Sequence, residues 1–149
     1  MTFEQNLSSV QQPKILGFDP GRDKCGLAVM GEDLHLYYHQ TVPAQNAIAT
    51  IQSLLQKFLI SVLVMGDRTT AKQWRSQLNC LSTELSIVMV DEHNSTLEAR
   101  DRYWQMYPPK GIAKLIPQGL REPPIPIDDI VAILLIERYL NSQEKHRSP

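Results

Sequence analysis

The sequence predicts an α/β protein whose mixed five-stranded sheet has three antiparallel strands, then parallel ones, with helices on both faces. Three observations lead there. Short strand-like runs rich in aliphatic and aromatic residues stand close together at 14–19, 25–31 and 34–42. From Ala44 onward, helical periodicity alternates with short all-apolar runs of the kind buried in parallel sheets. The 149 residues, 42% apolar and 21% charged, have the size and mixture of a single globular domain.

Each element follows in order. KILGFD (14–19) and CGLAVMG (25–31) flank the turn residues PGRDK and form a hairpin, and LHLYYHQTV (34–42) adds a third antiparallel strand. Ile48, Ile51, Leu55, Phe58 and Leu59 then recur at helical spacing. SVLVMG (61–66) is a short buried strand, a helix covers about 70–81, and LSIVMV (85–90) is the next strand. Ser95 with Glu98 three residues on reads as a capping box, opening a helix towards Tyr107. Residues 108–126 hold six of the ten prolines, which excludes a regular helix or central strand and leaves a loop. IDDIVAILLIERYL (127–140) is apolar on nearly every side, a helix packed deep against the sheet. The polar stretch 1–13 and the tail 142–149 are expected to be loose, leaving one domain over 14–141.

The formal charge of −1, from 15 basic and 16 acidic side chains, argues against a polybasic coat but leaves room for local basic patches. Cys25 and Cys80 are far apart and match no metal spacing, so both read as small core residues of a reducing compartment. No apolar run approaches the roughly 20 residues that span a bilayer. The N-terminal stretch lacks a basic start and an apolar segment, so a cytoplasmic protein without membrane contact is expected.

Four carboxylate positions stand at element ends. Asp19 closes the first strand and opens the turn D-P-G-R-D-K-C-G; Glu92 follows the strand 85–90; Asp128 and Asp129 begin the last helix. Taken singly, each has an ordinary explanation as a turn, a solvated or a capping residue. Taken together, three or four carboxylates at one rim of a sheet repel one another unless they share cations. Oxygen ligands without a His or Cys cluster suit Mg²⁺ or Mn²⁺, and two such ions suit phosphoryl transfer.

The segments ILGFDPGRDKCGLAV, VDEHNSTLEAR and IDDIVAILLIERYL resemble, in that order, the YqgF/RuvX family of RNase H-like nucleases, related to the RuvC Holliday-junction resolvases. The resemblance spans about 14–141. It implies an RNase H-like fold, divalent metal (two ions of Mg²⁺ or Mn²⁺), and endonuclease action on structured nucleic acid or precursor ribosomal RNA. It also implies Asp19, Glu92 and Asp128 as catalytic and metal-binding residues, with Ser95 and Thr96 matching the family's S-T pair. Two departures stand out: His93 where the family usually has Arg, and Gly66-Asp67-Arg68 where it usually has G-L-P. Asp67 adds an acid at a sheet rim, so Asp67 and Asp129 are candidate supplementary ligands.

Residues 100–121 carry Arg100, Arg102, Lys110, Lys114 and Arg121 against the single acid Asp101. Arg22 and Lys24 flank the Asp19 turn, and Arg68, Lys72 and Arg75 precede or begin the helix after the fourth strand. Arg22, Lys24, Arg68, Lys72, Arg100, Lys110, Lys114 and Arg121 are therefore candidates for binding RNA or branched DNA through its phosphates. The loop 108–126 is expected to act as a flap over the substrate path. Tyr103, Trp104 and Tyr107 are expected to anchor their helix rather than stack on bases. A homodimer is compatible with these features. The rival readings are a non-catalytic RNase H-like module that binds nucleic acid or a ribosome factor, and an actin-like ATPase or sugar kinase. The second, as in the actin-like ATPases and sugar kinases that share the D-x-G turn, would need another domain and glycine-rich phosphate turns absent after the strand 85–90.

Overall fold

In the computed structural model, residues 12–68, 70–81 and 84–147 are described. The opening hairpin forms as its residues dictate: β1 (Lys14–Asp19) runs antiparallel to β2 (Lys24–Met30), which pairs antiparallel with β3 (Leu36–Pro43). The buried runs β4 (Ile60–Gly66) and β5 (Ser86–Val90) join in parallel, giving the order β3-β2-β1-β4-β5. Among the described residues, four α-helices complete the fold: α1 (Ala47–Lys57), α2 (Ala71–Leu78), α3 (Ser95–Met106) and α4 (Asp128–Arg147).

Strand alternation divides the core into two layers. Leu16, Phe18, Leu27, Val29, Leu63 and Met65 face α1 and α2, where they meet Ile51, Leu54 and Leu78. Ile15, Ala28, Met30 and Val64 face the other way, onto α3 and α4. There α4 buries the unbroken run 130–136, which is why its sequence lacks a polar face. Helices cover both faces, as the sequence predicts.

Several boundaries differ from expectation. The helix after β3 opens with a 3-10 turn at Ala44–Asn46 before α1 begins. The helix expected over 70–81 is shorter, because the chain leaves α-helical geometry after Leu78. Cys25 is buried, but Cys80 is exposed just past that helix, so only one cysteine is a core residue. The last helix continues to Arg147, so the tail expected to be loose is helical over 142–147. Residues 1–11, 148 and 149 of the two expected loose segments lie outside the described residues.

The capping box is not formed. Asn94, at φ 57° and ψ 15°, is the N-cap of α3, and no side chain caps that helix. Left-handed backbone of this kind is tolerated by Asn more readily than by most residues. Ser95 instead lies buried within the first turn, its hydroxyl without a partner, while Glu98 pairs with Arg138 at 3.1 Å. The proline-rich loop contains two short 3-10 turns, Gly111–Leu115 and Gln118–Leu120. Among the described residues, no helix is long and apolar enough to cross a membrane.

Candidate functional site

The parallel strands β1, β4 and β5 end at one edge of the sheet, and antiparallel β2 begins there, with Asp19 opposite Gly26. That edge is where open α/β sheets gather ligands. Asp19 is the last residue of the central strand β1. Glu92 lies two residues beyond β5 and folds over Gly66, the end of β4, so closely that a Cβ there would overlap its carboxyl group. The first turn of α4 rests on Gly26 in the same way, since a Cβ there would overlap the Asp128 carbonyl. Two glycines thus let acids distant in sequence come together: the charges of Glu92 and Asp128 both act on Asp19.

The cluster is poorly solvated. Asp19 and Glu92 are 5% and 6% exposed. Asp19 Oδ1 and both carboxylate oxygens of Glu92 are buried without an aligned hydrogen-bond donor. Burial first, and the neighbouring Glu92 second, push the Asp19 carboxyl from 3.8 up to about 8. Burial also raises Glu92, opposed by the Arg68 guanidinium that pairs with Glu92 Oε2, and burial raises Asp128. Arg68 is half-exposed, so its charge is partly screened by solvent.

Orphaned buried oxygens in an all-carboxylate set fit a hard divalent cation such as Mg²⁺ or Mn²⁺. Among the described residues, no three His, Cys, Asp or Glu side chains are already grouped as a metal cage. The positive charge next to Glu92 comes from Arg68.

A pH dependence follows. Asp19 is an acid raised on folding, so between about 4 and 8 the folded chain holds a proton that the unfolded chain has released. Stability then falls as pH rises through that window, and Glu92 and Asp128 contribute in the same direction. Urea unfolding with a metal chelator is expected to give lower stability at pH 8 than at pH 6. A metal-free protein equally stable at both would contradict the buried carboxylate cluster.

The other expected site residues divide. Asp67 is exposed, though its charge reaches Glu92. Asp129 turns away from the cluster: Oδ2 is 2.7 Å from His39 Nδ1, and Oδ1 accepts a 3.3 Å bond from Thr41 Oγ1. It ties α4 to β3 instead of joining Asp128, so its expected role as a supplementary ligand is corrected. Lys24 and Arg68 lie close enough for their charges to act on Asp128. Arg22, Lys72, Lys110 and Lys114 are exposed, and Arg100 is half-buried. Arg121 is used internally: its Nε donates to the Ala113 and Ile116 carbonyls at 3.0 and 2.8 Å, and its guanidinium lies over the Trp104 ring. Its Nε is therefore committed to the loop's own backbone. Arg102 likewise holds both oxygens of Glu137, at 2.7 and 2.9 Å. Tyr103 is buried in the core and Trp104 packs against it, as anchors should. His93 is exposed.

One residue at the site was not foreseen. Arg138, on α4, donates Nη1 to the Asp91 carbonyl and Nη2 to the His93 carbonyl, both at 2.7 Å. These carbonyls flank Glu92, so one guanidinium clamps the backbone on both sides of it, with Glu98 balancing its charge at 3.1 Å. The only sequence signal is a cation just past the apolar run 130–136, and nothing local tells which way it points.

No protein-family model matches the chain, and no curated protein matches it. Among solved structures it is similar to T. thermophilus RuvC in complex with a Holliday junction substrate, at 14% identity, covering 89% of this chain and 96% of that one, with a TM-score of 0.54. A second Thermus thermophilus RuvC structure matches at 13% identity over 88% of this chain and 96% of that chain, with the same TM-score of 0.54. At such identities the likeness carries the architecture, and the chain has an RNase H-like fold.

Proposed function

We propose that the protein is a Mg²⁺- or Mn²⁺-dependent endonuclease of the YqgF/RuvX kind, hydrolysing phosphodiester bonds in structured nucleic acid such as ribosomal RNA precursors or branched DNA. The observation that carries this reading is the meeting of Asp19, Glu92 and Asp128 at one sheet edge, with Asp19 Oδ1 and Glu92 Oε1 buried and without a hydrogen-bond donor. A fold alone does not imply an activity, so the argument rests on the site. A purely structural cluster of three acids would be an unexplained cost to folding.

Asp19, Glu92 and Asp128 would hold the ions. Bound there, such ions supply an activated water and offset charge on the departing oxygen. The chain's own residues do the rest. Asp19, on a central strand, is held rigidly. Lys24 and Arg68 stand where a phosphate would approach the acids. Arg68, half-exposed, is free to exchange Glu92 for that phosphate. The test is purified protein with Mg²⁺ or Mn²⁺ against precursor ribosomal RNA, single strands and four-way DNA junctions. Metal-dependent cutting of any of them supports the reading, and none cut by active-folded protein removes it.

The pairing of Arg68 with Glu92 favours one second reading, a nucleic-acid-binding module without catalysis. Binding without cutting in the same panel would select it.

Arg138 is a positioning residue in this scheme. Arg138→Ala is expected to weaken Mn²⁺ binding and cleavage by about 10–100-fold, the usual effect of removing support behind a metal ligand. Glu98→Gln keeps both carbonyl bonds of Arg138 and should stay near the parent. Calorimetric Mn²⁺ titration separates this from general loss of stability: unchanged affinity in Arg138→Ala would refute the clamp.

A further inference from the structure

A cleft of about 520 Å³ opens beside the carboxylates, between the end of β3 (His39, Thr41, Val42, Pro43) and the last loop residues before α4, Ile125 and Pro126. This size lies within the range of small-ligand sites, roughly 300–1,000 Å³. Asp128 and Asp129 diverge at the head of α4. The first faces Asp19, and the second forms part of the cleft through its bond to His39. Lys24 joins the two spaces, because it lines the cleft and its charge also acts on Asp128.

We propose that this cleft takes the base and sugar of one unpaired nucleotide whose phosphate lies at Lys24, next to the carboxylates. The inference rests on the nuclease reading for its biological meaning and adds a substrate class: a nucleotide that has left the stack. The chemistry is matched in two parts. Val42, Pro43, Ile125 and Pro126 offer apolar walls to the faces of a base. His39, Thr41 and Asp129 offer polar atoms to its edge or to the sugar hydroxyls. Asp129 already occupies His39 Nδ1, so Nε2 is the ring atom left to read a ligand. A free phosphate would use Lys24 alone and leave the walls bare. A base still stacked and paired in a duplex presents no free body to such a cleft.

The test does not require cleavage. Full-length protein labelled with ¹⁵N, in chelator, is titrated with adenosine, guanosine, cytidine and uridine 5′-monophosphates, and with ribose 5-phosphate. Saturable amide shifts at 39–42 and at Ile125, larger for a nucleotide than for ribose 5-phosphate, are expected. Ile125 is 56% exposed, so changing it leaves the core intact. Ile125→Glu, which sets a negative charge against the ligand, and Ile125→Trp, which fills the space, should each weaken nucleotide binding at least about tenfold. Equal shifts from ribose 5-phosphate would overturn the proposal, as would nucleotide binding undiminished in both variants. The cutting panel run on the same preparation reads the nuclease proposal separately. Nucleotide binding in a protein that cuts nothing keeps the cleft and removes the nuclease.

Discussion

Asp19→Asn is expected to abolish metal-dependent cleavage, with a loss well beyond the roughly 100-fold seen for residues that only support a ligand. The substitution keeps the size of the side chain and much of its hydrogen bonding, and removes one negative charge from the centre of the cluster. Asp19 takes charge from both Glu92 and Asp128, so it is the group through which all three are coupled. Nucleic-acid binding, which depends on Lys24, Arg68 and their exposed neighbours, should persist. The fold should also persist, and the metal-free variant should be more stable than the parent at pH 8, because a buried acid that resists ionisation has been replaced by a neutral group. Rates must be compared at saturating Mg²⁺ or Mn²⁺, so that weakened ion affinity is not read as lost chemistry. Asp67→Asn is the control: Asp67 is exposed, and its loss should matter far less. Cleavage by Asp19→Asn at the parent rate would end the nuclease reading.

Gly66→Ala is expected to be nearly as damaging to cleavage by a different route. The added methyl would fall on the Glu92 carboxyl, and the Glu92 side chain is what gives way, since it is the flexible partner in the contact. Its movement takes the proposed oxygen ligand from the site and breaks the pairing with Arg68. The expected stability loss is that of an overpacked core position, about 1–3 kcal/mol. Gly26→Ala is the informative comparison, because its methyl meets the backbone of Asp128 and must push the head of α4 off the sheet. That variant should lose more stability than Gly66→Ala. Thermal unfolding with Mn²⁺ titration distinguishes them, and a Gly66→Ala protein with parental metal affinity would show that Glu92 is not a ligand.

The sheet and both core faces could be read from the sequence because each rests on a local regularity. Period-2 and period-3.6 patterns mark β1 to β5 and the helices, while the acids at the strand ends and at the head of the last helix stand out only as a set, and the choice of Asp128 over Asp129 came from the family resemblance. Where local reading failed, a distant residue had intervened. Ser95 and Glu98 have the spacing of a capping box, but Arg138 takes Glu98 from another helix and Asn94 turns the chain. Asp128 and Asp129 are adjacent and chemically identical, yet His39 and Thr41 on β3 claim only the second. Arg121 looks like one more cation in a basic run until the loop folds its own carbonyls around it. The length of α4 was missed for a related reason: its last turns carry ordinary polar residues, which in sequence read as a tail.

The arrival of α4 on β1 and β2 also dictates an order of events during synthesis. Proteins are made from the N-terminus, so the strands carrying Asp19 and the segment carrying Glu92 emerge well before Asp128. Until residues 130–136 have docked, Ile15, Ala28 and Met30 on one face of the sheet have nothing from α4 to cover them. A contact between Gly26 and Asp128 closes a loop of about a hundred residues, the kind of long-range pairing that folds slowly. A nascent chain therefore carries two of its three acids without the third. The complete cluster forms only after α4, which brings Asp128, has been made and has docked.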